Sequence, residues 1–306
     1  MATLAESSEM PPALPPALDG ECVRWQGRAG GLCAYVAGRG PPLLLIHSVN
    51  AVAAAAEMRP LHEHYRTART VFSLDLPGFG GSERSDRVYT PRLMTDAIHD
   101  VVGLIRERHG TAPLDALALS LSAEFLARAA VETPSAFRTL ALVSPTGLRG
   151  SRQRRGPPGA TLGVPWVYRL LRAPGWSRAL FDGLTRPGVI RYFLRRTWGS
   201  KDIDAALWQY DILTARQPGA QFAPLYFLSA YLFSADVLDL YERLTAPVWL
   251  SHGVRGDFTD YRLKSLLLAR PNWTGTVFPT GALPHFEVLD EFTAAYDRFL
   301  AAPGAP

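Results

Sequence analysis

Cysteine is scarce: the 306 residues hold only Cys22 and Cys33. Two thiols cannot build a disulfide framework, and no cysteine–histidine spacing suits a metal. A reducing, cytoplasmic setting and chemistry without metal or other cofactor are the expectation. Long apolar runs are also missing. The longest, residues 223–233, contains Ser229 and falls well short of the ~18 residues that span a bilayer. Residues 1–20 are rich in Ala and Pro but lack a basic segment ahead of an apolar one. They read as a flexible tail rather than a secretory leader. No phosphate-cradling loop or dinucleotide fingerprint is present, and nothing points to a nucleic-acid partner.

One stretch is short of acid. From Arg149 to Arg196 there are eleven arginines and a single carboxylate, Asp182, in a chain whose formal charge is only +4. The rest of the chain is therefore net negative. Such a segment is either a solvated helical surface or a face that meets anionic lipid or an anionic substrate group.

What is present has the rhythm of an α/β protein. Residues 22–27 and 31–37 read as a strand hairpin, and 42–47 (PLLLIH) as a strand buried on both faces. A helix interrupted at Pro60 is expected over 52–65, then a strand over 70–75. Met94, Ile98, Val101, Leu104 and Ile105 fall at helical spacing over 91–108. A strand at 114–119, a helix at 121–131 and a strand at 139–143 follow. After a helix-patterned, aromatic-rich stretch, strands at 247–251 and 273–278, a helix at 260–268 and a closing amphipathic helix restore the alternation. A mostly parallel sheet with helices on both faces is implied. Its core is residues 21–146 and 245–306, and residues 147–244 form a helical insertion.

The residues best placed for chemistry lie at Ala118-Leu119-Ser120-Leu121-Ser122-Ala123. A strand feeds straight into a helix here, and small residues flank Ser120, as a sharp turn that exposes a hydroxyl requires. The N–H of Leu121, at the helix start, would face a developing oxyanion. A serine that merely caps the helix is the alternative.

Residues 42–143 resemble the α/β-hydrolase superfamily. Leu43-Leu44-Leu45-Ile46-His47-Ser48 is similar to its strand ending in His-Gly, with Ser48 in place of glycine. Asp75-Leu76-Pro77-Gly78-Phe79-Gly80-Gly81-Ser82 is similar to its D-x-P-G-x-G-x-S loop. Ala118 and Ser122 stand where G-x-S-x-G has its glycines. The resemblance implies an α/β-hydrolase fold with a helical cap and Ser120 as nucleophile. It also implies an oxyanion hole from the N–H groups of Val49 and Leu121. His47, Ser48 and Asn50 are candidate contacts to substrate or oxyanion. Asn50 equally suits an Asx turn, and His47 an architectural role.

Ser251-His252-Gly253-Val254-Arg255-Gly256-Asp257 looks like the family's acid loop, making Asp257 the expected acid and Asp260 the reserve. Of seven histidines only His285 follows Asp257, so the family order makes His285 the expected base. In Gly281-Ala282-Leu283-Pro284-His285-Phe286-Glu287, however, Ala282 occupies the family's histidine position. His285 comes three residues late, and a structural histidine is the competing reading. The implied activity is hydrolysis of an ester-like, amide or C–C bond of an apolar small molecule through an acyl-enzyme. The competing expectation is a catalytically weak protein that binds a lipid or partner. Peripheral contact of the basic insertion with an anionic membrane is compatible with both.

Overall fold

The computed structural model describes residues 13–302. Eight strands form one sheet: β1 (Glu21–Gly27), β2 (Gly30–Ala37), β3 (Pro42–Ile46), β4 (Thr70–Asp75), β5 (Leu114–Leu119), β6 (Phe137–Val143), β7 (Val248–His252) and β8 (Trp273–Val277). Their spatial order is β1-β2-β4-β3-β5-β6-β7-β8. Only β2 runs against its neighbours, and every pair from β4 to β8 is parallel.

Alternation along the strands divides the core. Leu44, Ile46, Ala116, Ala118 and Leu142 enter one cluster, while Leu43, Leu45, Leu117, Leu119 and Val143 enter the other. Helices α1 (Arg59–Tyr65), α2 (Pro91–His109) and α3 (Ser122–Glu132) precede the insertion. The helical-period residues Met94, Ile98, Val101 and Ile105 of α2 join Phe125 and Leu126 of α3 over the first face. Leu61 and Tyr65 of α1 lie on the second. The N-terminus of α2 is fixed by Thr90, whose hydroxyl accepts from Leu93 N at 3.1 Å.

Between β6 and β7 the chain adds no strand to the sheet. It forms α4 (Pro165–Leu171), α5 (Ser177–Leu184), α6 (Pro187–Trp198), α7 (Ala205–Ala215), α8 (Phe222–Leu228) and α9 (Val237–Glu242). Helix α10 (Lys264–Leu268) and the closing pair α11 (Pro284–Glu287) and α12 (Leu289–Ala301) complete the chain. Trp249 of β7 stacks on Tyr296 of α12 at 5.4 Å, which locks the last helix to the second face. Several of the insertion's aromatics pack on one another against the cluster of the first face: Tyr168 and Tyr226 lie 4.5 Å apart with their hydroxyls bonded at 2.6 Å, and Phe227 stacks on Phe233.

Three local expectations are corrected. The segment expected to start a helix at residue 52 is irregular until Ala55, because Val52 N is taken by Asn50 Oδ1 and Ala55 N by Asp75 Oδ1, each at 2.7 Å. The helix expected from residue 260 begins only at Lys264. Here Leu263 N bonds Leu148 O at 3.0 Å and the Asp260 carboxylate accepts from Gly150 N, so this loop holds the root of the insertion. The tail expected over residues 1–20 lies outside the described residues up to residue 12. Beyond that it is docked: Leu18 is buried, Pro15 O accepts from the Tyr210 hydroxyl and Asp19 O bonds the His62 ring.

Candidate functional site

The register brings the site loops together. Ile46 pairs with Ala118, Leu119 with Val143, and Val143 with Ser251. The chain therefore leaves the carboxyl ends of β3, β5, β6 and β7 side by side, at the edge where open α/β sheets take their ligands. Ser120 stands on the turn between β5 and α3 with φ 52°, a left-handed conformation rare for a residue with a side chain. Its N–H bonds Val143 O at 2.8 Å. The two departures from glycine fit: Ala118 is wholly buried, and the Ser122 hydroxyl donates to His47 O at 2.6 Å, tying the turn to the end of β3. Among the described residues neither the Ser120 hydroxyl nor the N–H groups of Val49 and Leu121 have a hydrogen-bond partner.

A cleft of about 320 Å³ opens over Ser120. Ser144, Tyr261, Leu148, Leu162, Phe233 and Phe258 contribute to its wall, with Arg149, Arg152, Arg154, Asp257 and Asp260 as its charged residues. Its volume lies at the low end of small-molecule sites. Burial pushes the Tyr261 phenol up to about 12, with Ser144 opposing, so it is a neutral hydroxyl in the wall. Among the described residues no histidine lines this cleft.

Of the expected triad, the structure brings Ser120 and Asp257 to one cleft and takes His285 elsewhere. The His285 ring is wholly buried, bonds Glu57 O at 2.8 Å through Nε2 and packs against Phe286 and Phe292. A neutral imidazole that donates from Nε2 has a bare Nδ1, and this atom is buried without a partner. Burial drops the ring's pKa to about 4. His285 bonds neither Ser120 nor Asp257, so the expectation that it serves as base is corrected. Three extra residues carry it into α11, where it meets Glu57 O instead of Ser120. Ala282, at the family's histidine position, offers only a methyl group, and its carbonyl accepts from the Ser144 hydroxyl at 2.7 Å.

Asp257 is equally committed. Both its oxygens meet Arg196 at the end of α6, Oδ1 at 2.8 Å, in an exposed bidentate pair. The reserve acid Asp260 holds Arg262 at 3.0 Å, which keeps its carboxyl well below the usual range.

His47 and Asn50 take the architectural and Asx-turn roles open to them, and Ser48 joins them instead of contacting substrate or oxyanion, because their polar atoms are used inside their own loop. Leu76 N donates to His47 Nε2 at 3.0 Å, so the proton sits on Nδ1 and faces Ser48 O. Burial lowers this ring to about 4. Ser48 and Asn50 serve Glu57: its carboxylate accepts from Ser48 N at 2.7 Å, Ser48 Oγ at 2.9 Å and Asn50 Nδ2 at 3.0 Å. Asn50 Oδ1 closes the Asx turn on Val52 N.

Glu57 is the residue the sequence reading missed. It is buried, and desolvation lifts its carboxyl to about 7 against those three donors. A single carboxylate inside Ala53-Ala54-Ala55-Ala56-Glu57-Met58 was the available signal, since a charge in an apolar run needs buried partners. Asp211 of α7 is buried too, and burial together with the charges of Glu57 and Asp204 pushes it well up. Asp75, at the head of the Pro-Gly loop, accepts from Ala55 N and Gly81 N, each at 2.7 Å, while burial raises it to about 6. Gly80 must be glycine there: its φ is +48° and a Cβ would sit 2.0 Å from the Asp75 carboxyl.

Glu124, in the first turn of α3, anchors the insertion. It is wholly buried, pairs with Arg154 and Thr146 and accepts from Ser234 N at 2.7 Å. His252 is buried and stacked on Tyr261 at 4.0 Å.

No family model and no curated protein matches the sequence. Solved structures do match it in shape. A probable hydrolytic enzyme from Pseudomonas aeruginosa PAO1 is 18% identical, with 95% of this chain and 96% of that one covered at a TM-score of 0.73. A 2-hydroxy-6-oxo-6-phenylhexa-2,4-dienoate hydrolase from Rhodococcus sp. strain RHA1 is 20% identical over 93% and 100% of the two chains, at 0.69. A thermophilic esterase from Thermogutta terrifontis is 19% identical over 92% and 98%, at 0.68. Strand order, serine turn and these likenesses agree: the chain has the fold of the α/β-hydrolase superfamily.

Proposed function

We propose that this chain is an α/β-hydrolase-fold protein that binds an apolar small molecule over Ser120 and does not turn it over. The carrying observation is the His285–Glu57 bond, which leaves the serine without a proton acceptor. General-base catalysis requires an imidazole or carboxylate within about 3 Å of the hydroxyl, directly or through one water. The carboxylates that line the cleft are bound to Arg196 and Arg262. The apolar wall of Leu148, Leu162, Phe233 and Phe258 supports an apolar ligand, and the insertion acts as its cap.

The strained turn favours a second reading, a slow serine hydrolase. A φ of 52° costs about 1–3 kcal/mol and is kept where it serves a site. In that case water takes the Ser120 hydroxyl proton as the oxygen attacks an ester-like carbonyl, the N–H groups of Val49 and Leu121 receive the oxyanion, and the alcohol leaves with that proton before a second water hydrolyses the acyl-enzyme. Labelling with a fluorophosphonate discriminates. A folded wild type that remains unlabelled supports the binder. Adduct formation at any rate, absent in Ser120→Ala, overturns it in favour of the hydrolase.

Peripheral attachment to an anionic membrane belongs with either reading. It is supported by the exposed Trp166, Leu170, Trp176, Tyr192 and Phe193 of the arginine-rich segment.

A further inference from the structure

Building on the Ser120 cleft as the ligand site, we propose that Arg149 and Arg152 make it selective for an amphiphile with an anionic head. Every other charged group of the cleft is already matched. Arg154 is held by Glu124 and Ser234 O. Asp257 is held by Arg196, and Asp260 by Arg262 and Gly150 N. Arg149 and Arg152 have no ion pair or side-chain hydrogen bond among the described residues. Elsewhere in the same segment Arg155, Arg172, Arg178 and Arg196 all hold carboxylates.

The two unmatched guanidinium groups therefore leave the mouth of the cleft positive, above a wall that is largely apolar. The backbone on both sides of Arg149 is fixed, Leu263 N bonding Leu148 O and Gly150 N bonding Asp260, and Arg152 N in turn bonds Arg149 O at 3.3 Å. A planar guanidinium presents paired donors that match a carboxylate or phosphate. An acyl chain lying against Leu148, Leu162 and Phe233 would place its acid group between these arms.

Calorimetric titration of the full chain with decanoate, decyl phosphate and decanol tests the assignment. The expected result is that decanoate or decyl phosphate binds roughly tenfold tighter than decanol, with the preference reduced by added salt. Whichever acid binds tighter identifies the head group. The Arg149→Ala/Arg152→Ala double variant, with an unchanged Tm, is expected to bind all three alike. Arg169→Ala, another exposed arginine without an ion pair, keeps the preference. Equal binding of acids and decanol to the wild type overturns anion recognition while leaving the cleft as the ligand site, as does a preference that survives in the double variant. Failure of all three compounds to bind overturns both.

Discussion

His285 donates through Nε2 to the carbonyl oxygen of Glu57 at 2.8 Å. This bond joins α11 to the loop after β3, and the Glu57 side chain, through Ser48 and Asn50, shapes that same loop. The latest histidine in the sequence thus supports the architecture beside the cleft without entering it.

Replacement of His285 by Gln is expected to lower stability at pH 7 by about 1–2 kcal/mol, since a buried hydrogen bond is weakened. Burial depresses the ring from 6.5 to about 4. Between those values the unfolded chain binds the proton and the native one does not, so this group makes stability fall as pH falls. Denaturant titrations from pH 4 to 7 should show that contribution missing in the variant, while wild type and variant alike stay unlabelled by the fluorophosphonate. Labelling of the wild type that is lost in a variant of wild-type stability would restore His285 as the base.

Glu57 acts with the opposite sign. Its carboxyl is raised from 4.5 to about 7, so the native state holds a proton that the unfolded state has released. This contribution is complete below pH 4.5 and is lost as pH rises through 7, on the order of 3 kcal/mol. His285 and Glu57 oppose each other over the window they share. Glu57→Gln is therefore expected to tilt stability upward with pH, and His285→Gln to tilt it downward, relative to the wild type. Parallel curves for both variants would contradict the assignment.

Ser120→Gly relieves the left-handed turn. A net gain of about 1 kcal/mol in unfolding free energy is expected, because glycine adopts this φ without penalty. The same substitution at Ala123, inside α3, should instead destabilise by a similar amount. A destabilised Ser120→Gly would show that the serine side chain, rather than the turn, is what the fold needs.

Flotation with vesicles of phosphatidylcholine alone or mixed with phosphatidylglycerol tests the outer face of the insertion. Binding only to the anionic vesicles, weakened by salt and by Trp166→Ser/Leu170→Ser, is expected. Absent or salt-insensitive binding would leave the arginines as an ordinary solvated surface.

The sheet was legible because strand identity is local. Residues 43–46 and 116–119 are apolar on both faces, and such runs have few other folds available. The serine turn was legible for a related reason: small residues around Ser120 are a steric requirement that the sequence itself displays. Glycine proved unnecessary at residue 122, where a buried hydroxyl finds His47 O. The insertion was also visible, as a break in the alternation and an excess of arginine.

The partners of the charged groups could not be read this way. Asp257 and Arg196 meet across 61 positions of sequence, and His285 and Glu57 across 228. Spacing therefore suggested a triad, while the folded loops gave each of its members except Ser120 another partner. Sequence by itself determined the order of strands and helices and the turn that carries Ser120, because these follow from backbone sterics and the period of apolar side chains. Tertiary structure alone decided which hydrogen-bonding groups were left free. A buried polar atom takes whichever partner packing brings within about 3 Å, and here packing brought His285 to a carbonyl instead of to the serine.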